Sequence, residues 1–314
     1  MIRSAIRMAR TDRASPSSTA GTQLAIRLEK LSAIQVGVRG VKDIGPIRGR
    51  ARNSLEVLAR VGYVAKGFVY ILVGLLAAMA AASLGSGGVE GSRGALSSLR
   101  DEPLGAVLLG AIALGLIGYV VWRLVQAIKD PDGHGTDLRG LVQRAGMILS
   151  ALTHGGLAVW AAGLALGHRL GEDDDQGTRA WSGRLLEQPF GAWLLGAVAI
   201  GIIIFGVAQC VIAYRASYQQ RLQAMNRRTR RWVDVVARVG FVTRGIVAWI
   251  AGAFIMSAAL TSDPSEARGL EGALQALERQ AYGPVLLGVV AAGLAAHGVF
   301  EIVKAKYRRL GPIS

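Results

Sequence analysis

Six separate stretches of this 314-residue chain are apolar enough and long enough to cross a hydrocarbon layer. A bilayer core takes about 20 helical residues to span. The runs Val64–Ser83, Leu104–Trp122, Met147–Gly167, Phe190–Ile212, Phe241–Leu260 and Pro284–Val303 meet that length. Inside lipid every backbone N–H and C=O needs a partner within the segment or within a closed barrel. None of the runs alternates apolar and polar residues as a barrel strand does, so helices are expected. Composition agrees, with 52% hydrophobic residues, 18% charged residues and 42 glycines, the profile of a membrane chain. Cys210 is the single cysteine, which excludes an intrachain disulfide and any CxxC motif.

The net charge of +15 fits either a nucleic-acid ligand or a membrane chain with basic cytoplasmic loops, and its distribution decides. Residues 1–60 carry 12 basic and 4 acidic side chains, residues 123–146 carry 4 and 3, and residues 213–240 carry 7 and 1. Lys304, Lys306, Arg308 and Arg309 close the chain. The three intervening connections hold 2, 3 and 2 basic residues against 3, 5 and 4 acidic ones. Basic loops stay in the cytoplasm. With 30 Arg against 6 Lys, a bias that reads as a GC-rich bacterial genome, the expectation is a multi-pass protein of the bacterial inner membrane with both termini cytoplasmic, its excess charge facing anionic headgroups rather than nucleic acid. Residues 1–57 read as a basic, largely disordered tail, in which "LAIRLEKLSAI" has the pattern of a short surface helix.

An octamer appears twice, "RVGYVAKG" at Arg60–Gly67 and "RVGFVTRG" at Arg238–Gly245, with a weaker copy around Arg144-Ala145-Gly146-Met147. A second motif follows each: "PLGAVLLG" at Pro103–Gly110, "PFGAWLLG" at Pro189–Gly196 and "AYGPVLLG" at Ala281–Gly288. The glycines Gly62, Gly146 and Gly240 stand 43, 45 and 43 residues ahead of Gly105, Gly191 and Gly283. Self-similarity at a fixed period means one unit used several times. The units are 58–129, 142–216 and 236–308, each a hairpin of two spans. Two spans per unit make every copy start from the same face, so the expected fold is an all-α, pseudo-threefold bundle of three parallel repeats. The octamer reads as an interfacial anchor, with Arg60, Arg144 and Arg238 at the headgroups, Tyr63 and Phe241 marking their depth, and Lys66 and Arg244 snorkelling back to the surface.

These repeated motifs resemble the bacterial membrane-protein family catalogued as domain of unknown function 1206, over roughly residues 58–308. Copy two departs from the pattern, with Ala180-Trp181 in place of Gly94-Ala95 and Gly272-Ala273. The resemblance implies a six-helix membrane module and brings no mechanism with it.

Glycines recur at five-residue steps in each second helix: Gly105, Gly110 and Gly115; Gly191, Gly196 and Gly201; Gly283, Gly288 and Gly293. Five residues turn a helix by roughly 140°, so close packing is expected on more than one face. The leucine pairs Leu96/Leu99 and Leu274/Leu277 predict short amphipathic helices in the outer loops, and the acidic run Glu172–Asp175 reads as a solvated loop. Trp122, Trp193, Trp232, Tyr214, Tyr218 and Tyr282 read as an interfacial belt.

Ionisable groups within spans are functional suspects. His154 and His297 fall roughly 10 Å from the inner edge, and Arg123, Gln209 and Glu301 share one repeat position near the inner end of each second helix. Packing and snorkelling roles are expected for them. No phosphate-binding loop, HExxH or nucleophile motif occurs in usable context. The leading expectation is a non-enzymatic structural or interaction module without a cofactor or metal, whose partners are the bilayer and a further membrane protein or a second copy of the chain. The alternatives are a solute or ion pathway along the pseudo-threefold axis, and a redox or metal protein using His154 and His297.

Overall fold

The computed structural model describes residues 54–82, 89, 91–168 and 174–309, so the tail expected over residues 1–57 lies, up to residue 53, outside the described residues. The described residues form helices and no strand. Six helices are long and apolar enough to cross a membrane: α1 Ser54–Ala81, α3 Gly105–Lys129, α4 Leu138–Ala165, α6 Gly191–Arg215, α7 Arg227–Thr261 and α9 Gly283–Tyr307. Three short helices, α2 Ser92–Ser97, α5 Asp174–Leu186 and α8 Leu270–Glu278, occupy the connections within the hairpins. We call the end where α1 begins proximal and the end carrying the short helices distal.

Local chemistry sets the boundaries. The side chains of Asp137 and Asn226 cap α4 and α7 by accepting from the amides of Gly140 and Thr229, satisfying donors that a helix start leaves open. The second helix of each hairpin begins at its motif glycine. A Cβ at Gly105, Gly191 or Gly283 would run into the carbonyl oxygens of Leu99, Leu185 or Glu278, so only glycine lets the helix start tuck onto the preceding turn.

The repeats pack by one rule. Gly62 of α1 sits on the backbone of Tyr119 in α3, and Gly240 of α7 sits on that of His297 in α9; each is the octamer's first glycine against its own hairpin partner. The octamer's last glycine faces another copy: Gly67 meets Gly298, and Gly245 meets Gly206. Missing side chains allow backbones to approach where lipid offers no hydrophobic drive for association. Five residues separate the two glycines, so they serve two faces of one helix.

The middle hairpin breaks the rule. Nothing lies within 4 Å of where a Cβ of Gly146 would stand. Helices α3 and α4, α6 and α7, and α7 and α9 share extensive interfaces, whereas no comparable interface joins α4 to α6. With α1 seated on both α3 and α9, the bundle is a ring of six helices left open at one seam, between the two spans of copy two.

The distal half is filled. Leu96, Leu109, Leu116, Leu274, Leu287 and Leu294, each at most 1% exposed, belong to one core cluster that includes residues of the spans and of α2 and α8. The expected outer helix carries both leucines in copy three, whereas in copy one α2 ends at Ser97, short of Leu99; Leu96 and Leu274 drive into the bundle. The acidic run is corrected: its described members, Asp174 and Asp175, open α5 and are largely covered. Asp174 lies 3.5 Å from the Arg93 guanidinium, and Asp175 accepts from the Gly269 amide at 2.7 Å. Burial pushes the Asp174 carboxyl above its usual range, against the lowering effect of Arg93.

Candidate functional site

The proximal half holds a cluster of ionisable side chains at membrane depth. Lys66 and Glu301, each 1% exposed, face one another from α1 and α9 with Nζ 3.1 Å from Oε1. Lys304 places its Nζ 2.6 Å from Oε2 of Glu301, and His297 Nε2 lies 3.3 Å from Oε1. Lys66 also donates to the Tyr119 hydroxyl at 3.1 Å, and Arg123 Nε donates to the same oxygen at 2.8 Å. Two donors occupy the lone pairs of that oxygen, which leaves its own proton for Ser150 Oγ, 3.3 Å away. Tyr119 is thus the junction where copy one meets copy two directly and copy three through Lys66.

A second layer lies toward the proximal end. Arg308 pairs with Asp132 at 3.0 Å, and Gln126 donates to the same carboxylate at 2.5 Å. Trp122 donates to the Tyr63 hydroxyl at 3.1 Å, and the Lys304 ammonium lies 4.9 Å from the Tyr63 ring centroid. A buried ion pair loses hydration that attraction must replace; here several further donors and an aromatic face assist. The charges do not balance, however. Lys66 and Lys304 share one carboxylate, Glu301, while Arg123 bonds to the neutral Tyr119 and Gln126, and Arg244 stands beside the cluster over the rings of Tyr70 and Phe205.

Several anchor expectations are corrected. Lys66 does not snorkel, because Glu301 and Tyr119 hold it inside. Tyr63 and Phe241 are buried against other helices rather than turned outward: Tyr63 packs edge-on against Tyr119, and Phe241 stacks on Tyr218 and meets Phe300 and His297 edge-on. Trp122 and Tyr218 are buried too, while Trp193, Trp232, Tyr214 and Tyr282 are exposed. Arg60 donates to the carbonyls of Ala305 and Lys306, and Arg144 to those of Ala127 and Ile128. Each caps the C-terminal end of another copy's second helix, where open carbonyls and the helix dipole attract a cation. Arg238 instead pairs with Asp234 at 2.9 Å on its own helix, and Arg244 makes ring contacts, with no hydrogen-bond acceptor among the described residues.

Close packing is also corrected at two of the nine step glycines. Gly110 and Gly201 face open space. Gly196 and Gly288 come only within ordinary contact distance of the methyls of Ala259 and Ala81, whereas Gly115 and Gly293 press on Ala65 and Thr243. Gly105, Gly191 and Gly283 pack on the turn before their own helix.

The polar candidates separate. Glu301 and Arg123 join the cluster through Lys66 and Tyr119. Gln209 is buried between α6 and α7 beside Gly245, so the shared repeat position does not bring the three together. His154 Nδ1 reaches the Ser150 carbonyl at 2.8 Å, and its ring tilts on Tyr119. His297 stacks edge-on to Tyr70 and Phe241 beside Glu301. The two histidines have different partners, and no group of three or more His, Cys, Asp or Glu side chains is placed as metal ligands among the described residues. Tyr119 and Ser150 do not stand out from sequence, and Lys304 counts there only as one of the basic residues near the C-terminal end. The available signal was that Tyr119 occupies the repeat position of His297.

The sequence profile described as Domain of Unknown Function (DUF1206) matches residues 61–130, 145–216 and 239–308. The chain is 36% identical over 274 residues to "Uncharacterized protein YxxB" of Bacillus subtilis (strain 168), covering 86% of this chain and 98% of that protein. No solved structure matches. With all three hairpins matched and a relative aligned across nearly its full length, the chain belongs to the DUF1206 family.

Proposed function

We propose that this protein is a non-enzymatic structural or interaction module of the bacterial cytoplasmic membrane, with both termini in the cytoplasm. The observation that carries this reading is the division of the bundle. The buried charges of the membrane-crossing helices lie in the proximal half and tie three repeats together, and the spans beyond them are packed with leucine. Charges so placed hold helices in register, and an apolar plug gives an ion no polar path onward. Basic connections at the proximal end support the orientation.

A second reading, an ion or proton pathway, draws on one observation: Lys66, Glu301, His297 and Tyr119 form a connected set of titratable groups at membrane depth. One experiment addresses both. The protein is reconstituted in liposomes containing a pH-sensitive dye, and a potential is imposed with valinomycin. Proton entry no faster than in protein-free vesicles supports the structural reading. Entry that is faster and abolished in a folded Glu301→Gln variant replaces it with the pathway.

A further inference from the structure

The open seam and the unpaired cation lie together. Arg244 projects from α7, and its guanidinium stands 4.9 Å from the ring centroid of Phe205 on α6 and 5.7 Å from that of Tyr70 on α1. It is half-buried, and among the described residues no carboxylate or carbonyl accepts its hydrogen bonds. Phe205 holds the repeat position that Tyr119 and His297 hold in the other copies. There, each is covered by the first glycine of its own hairpin; Phe205 is 40% exposed, and Gly146 does not reach it. The missing helix contact of copy two therefore uncovers the ring on which Arg244 rests.

A guanidinium at membrane depth without an anion is costly. Its planar fork matches a phosphate, and the neighbouring cluster, where Lys66, Lys304 and Arg123 outnumber the one carboxylate Glu301, adds attraction for an anion. The exposed surfaces of the two helices that flank the seam are apolar: Leu149 and Leu152 of α4 and Ile204 and Val207 of α6 are all exposed. A ligand that combines an anionic phosphate with hydrocarbon meets both requirements. We propose that the seam between α4 and α6 seats one anionic phospholipid, its phosphate on Arg244 and its acyl chains along the two helices. The proposal depends on the multi-pass architecture and not on the non-enzymatic reading.

The test uses the full chain purified in maltoside, delipidated by extended washing, then incubated with phosphatidylglycerol or phosphatidylcholine and examined by native mass spectrometry and thermal denaturation. About one tightly retained phosphatidylglycerol per chain is expected, with at least tenfold weaker retention of phosphatidylcholine. Arg244→Gln should reduce phosphatidylglycerol retention at least tenfold. Gly146→Phe, which fills the seam from a position with no neighbour to clash, should do the same while leaving Arg244 in place and the delipidated protein folded. Inorganic phosphate alone should give no thermal protection. Equal retention by wild type and both variants overturns the proposal, as does equal binding of the two lipids or full protection by inorganic phosphate. A wild-type dimer that Gly146→Phe converts to a monomer, with no lipid retained in either, would assign the seam to a second copy and also overturn it.

Discussion

One substitution made at three equivalent positions tests the asymmetry of the ring. Replacing Gly62 with alanine would put a Cβ 2.5 Å from the backbone nitrogen and 2.6 Å from the Cα of Tyr119. At Gly240 the corresponding distances to the Cα and nitrogen of His297 are 2.6 and 2.7 Å, and at Gly146 there is nothing within 4 Å. Carbon atoms settle at about 3.5–4.0 Å, so α1 and α3 must separate by about 1 Å, and a main chain cannot rotate aside as a side chain can. Overpacking of this kind costs about 1–3 kcal/mol. Alanine recovers about 0.8–1.0 kcal/mol of intrinsic helix propensity over glycine. Because Tyr119 carries the hydrogen bonds of Lys66 and Arg123, displacing it weakens those as well and places Gly62→Ala toward the upper end of the range. The expected net loss is about 1–2 kcal/mol for Gly62→Ala and Gly240→Ala, against a gain of up to about 1 kcal/mol for Gly146→Ala. Denaturant titration in mixed micelles, followed by helical circular dichroism, resolves differences of this size. A Gly146→Ala variant as unstable as Gly62→Ala would refute the open seam, and three neutral variants would refute the packing rule.

Glu301→Gln strands Lys66 and Lys304 and should cost about 3–5 kcal/mol, the range for breaking a buried pair. Adding Lys66→Met should recover part of that loss, and strictly additive effects in the same titration would contradict the pairing. Arg60→Ala removes a cap across repeats and should cost about 1 kcal/mol, whereas Arg238→Ala removes an exposed pair on one helix and should cost less; the reverse order would sink the capping argument. Asp130 accepts from the amides of His134 and Gly135, which hold its carboxyl down at about 2. A depressed folded value means that its contribution is complete above the ordinary value of 3.8 and is lost as pH falls toward 2. The Asp130 carboxyl carbon resonance should therefore show its protonation step only below about pH 4, and a protonation step of that carboxyl centred above pH 4 would contradict the bonded loop.

The six spans and their grouping into hairpins were legible because both depend on properties a sequence carries openly, the length of apolar runs and a repeat period. The purpose of the octamer was only half legible. Its basic residue, one turn into an apolar run, has the pattern of a snorkelling lysine, and nothing near Lys66 in the chain announces Glu301. Facing was hidden as well. Five-residue glycine steps imply several faces without saying which are occupied, so Gly115 and Gly110 look alike although one presses on Ala65 and the other on nothing. Copy two announced its divergence at Ala180-Trp181. Its consequence lies elsewhere, at Gly146, which kept the motif residue and lost the contact.

The pairing of Lys66 with Glu301 also imposes a schedule on assembly. Helix α1 is synthesised first and α9 last, so the ammonium waits for its carboxylate through about 235 intervening residues. At 5–20 residues per second this is roughly 10–50 s. A lysine at the centre of a membrane helix carries an insertion cost of about 2.5–3.5 kcal/mol, which neither Tyr119 nor Ser150 can offset until the second and third spans arrive. Until then the side chain must reach back toward the headgroups, with α1 displaced from its final depth. The helix can settle only when Glu301 emerges, and the last span then acts as the latch on the first.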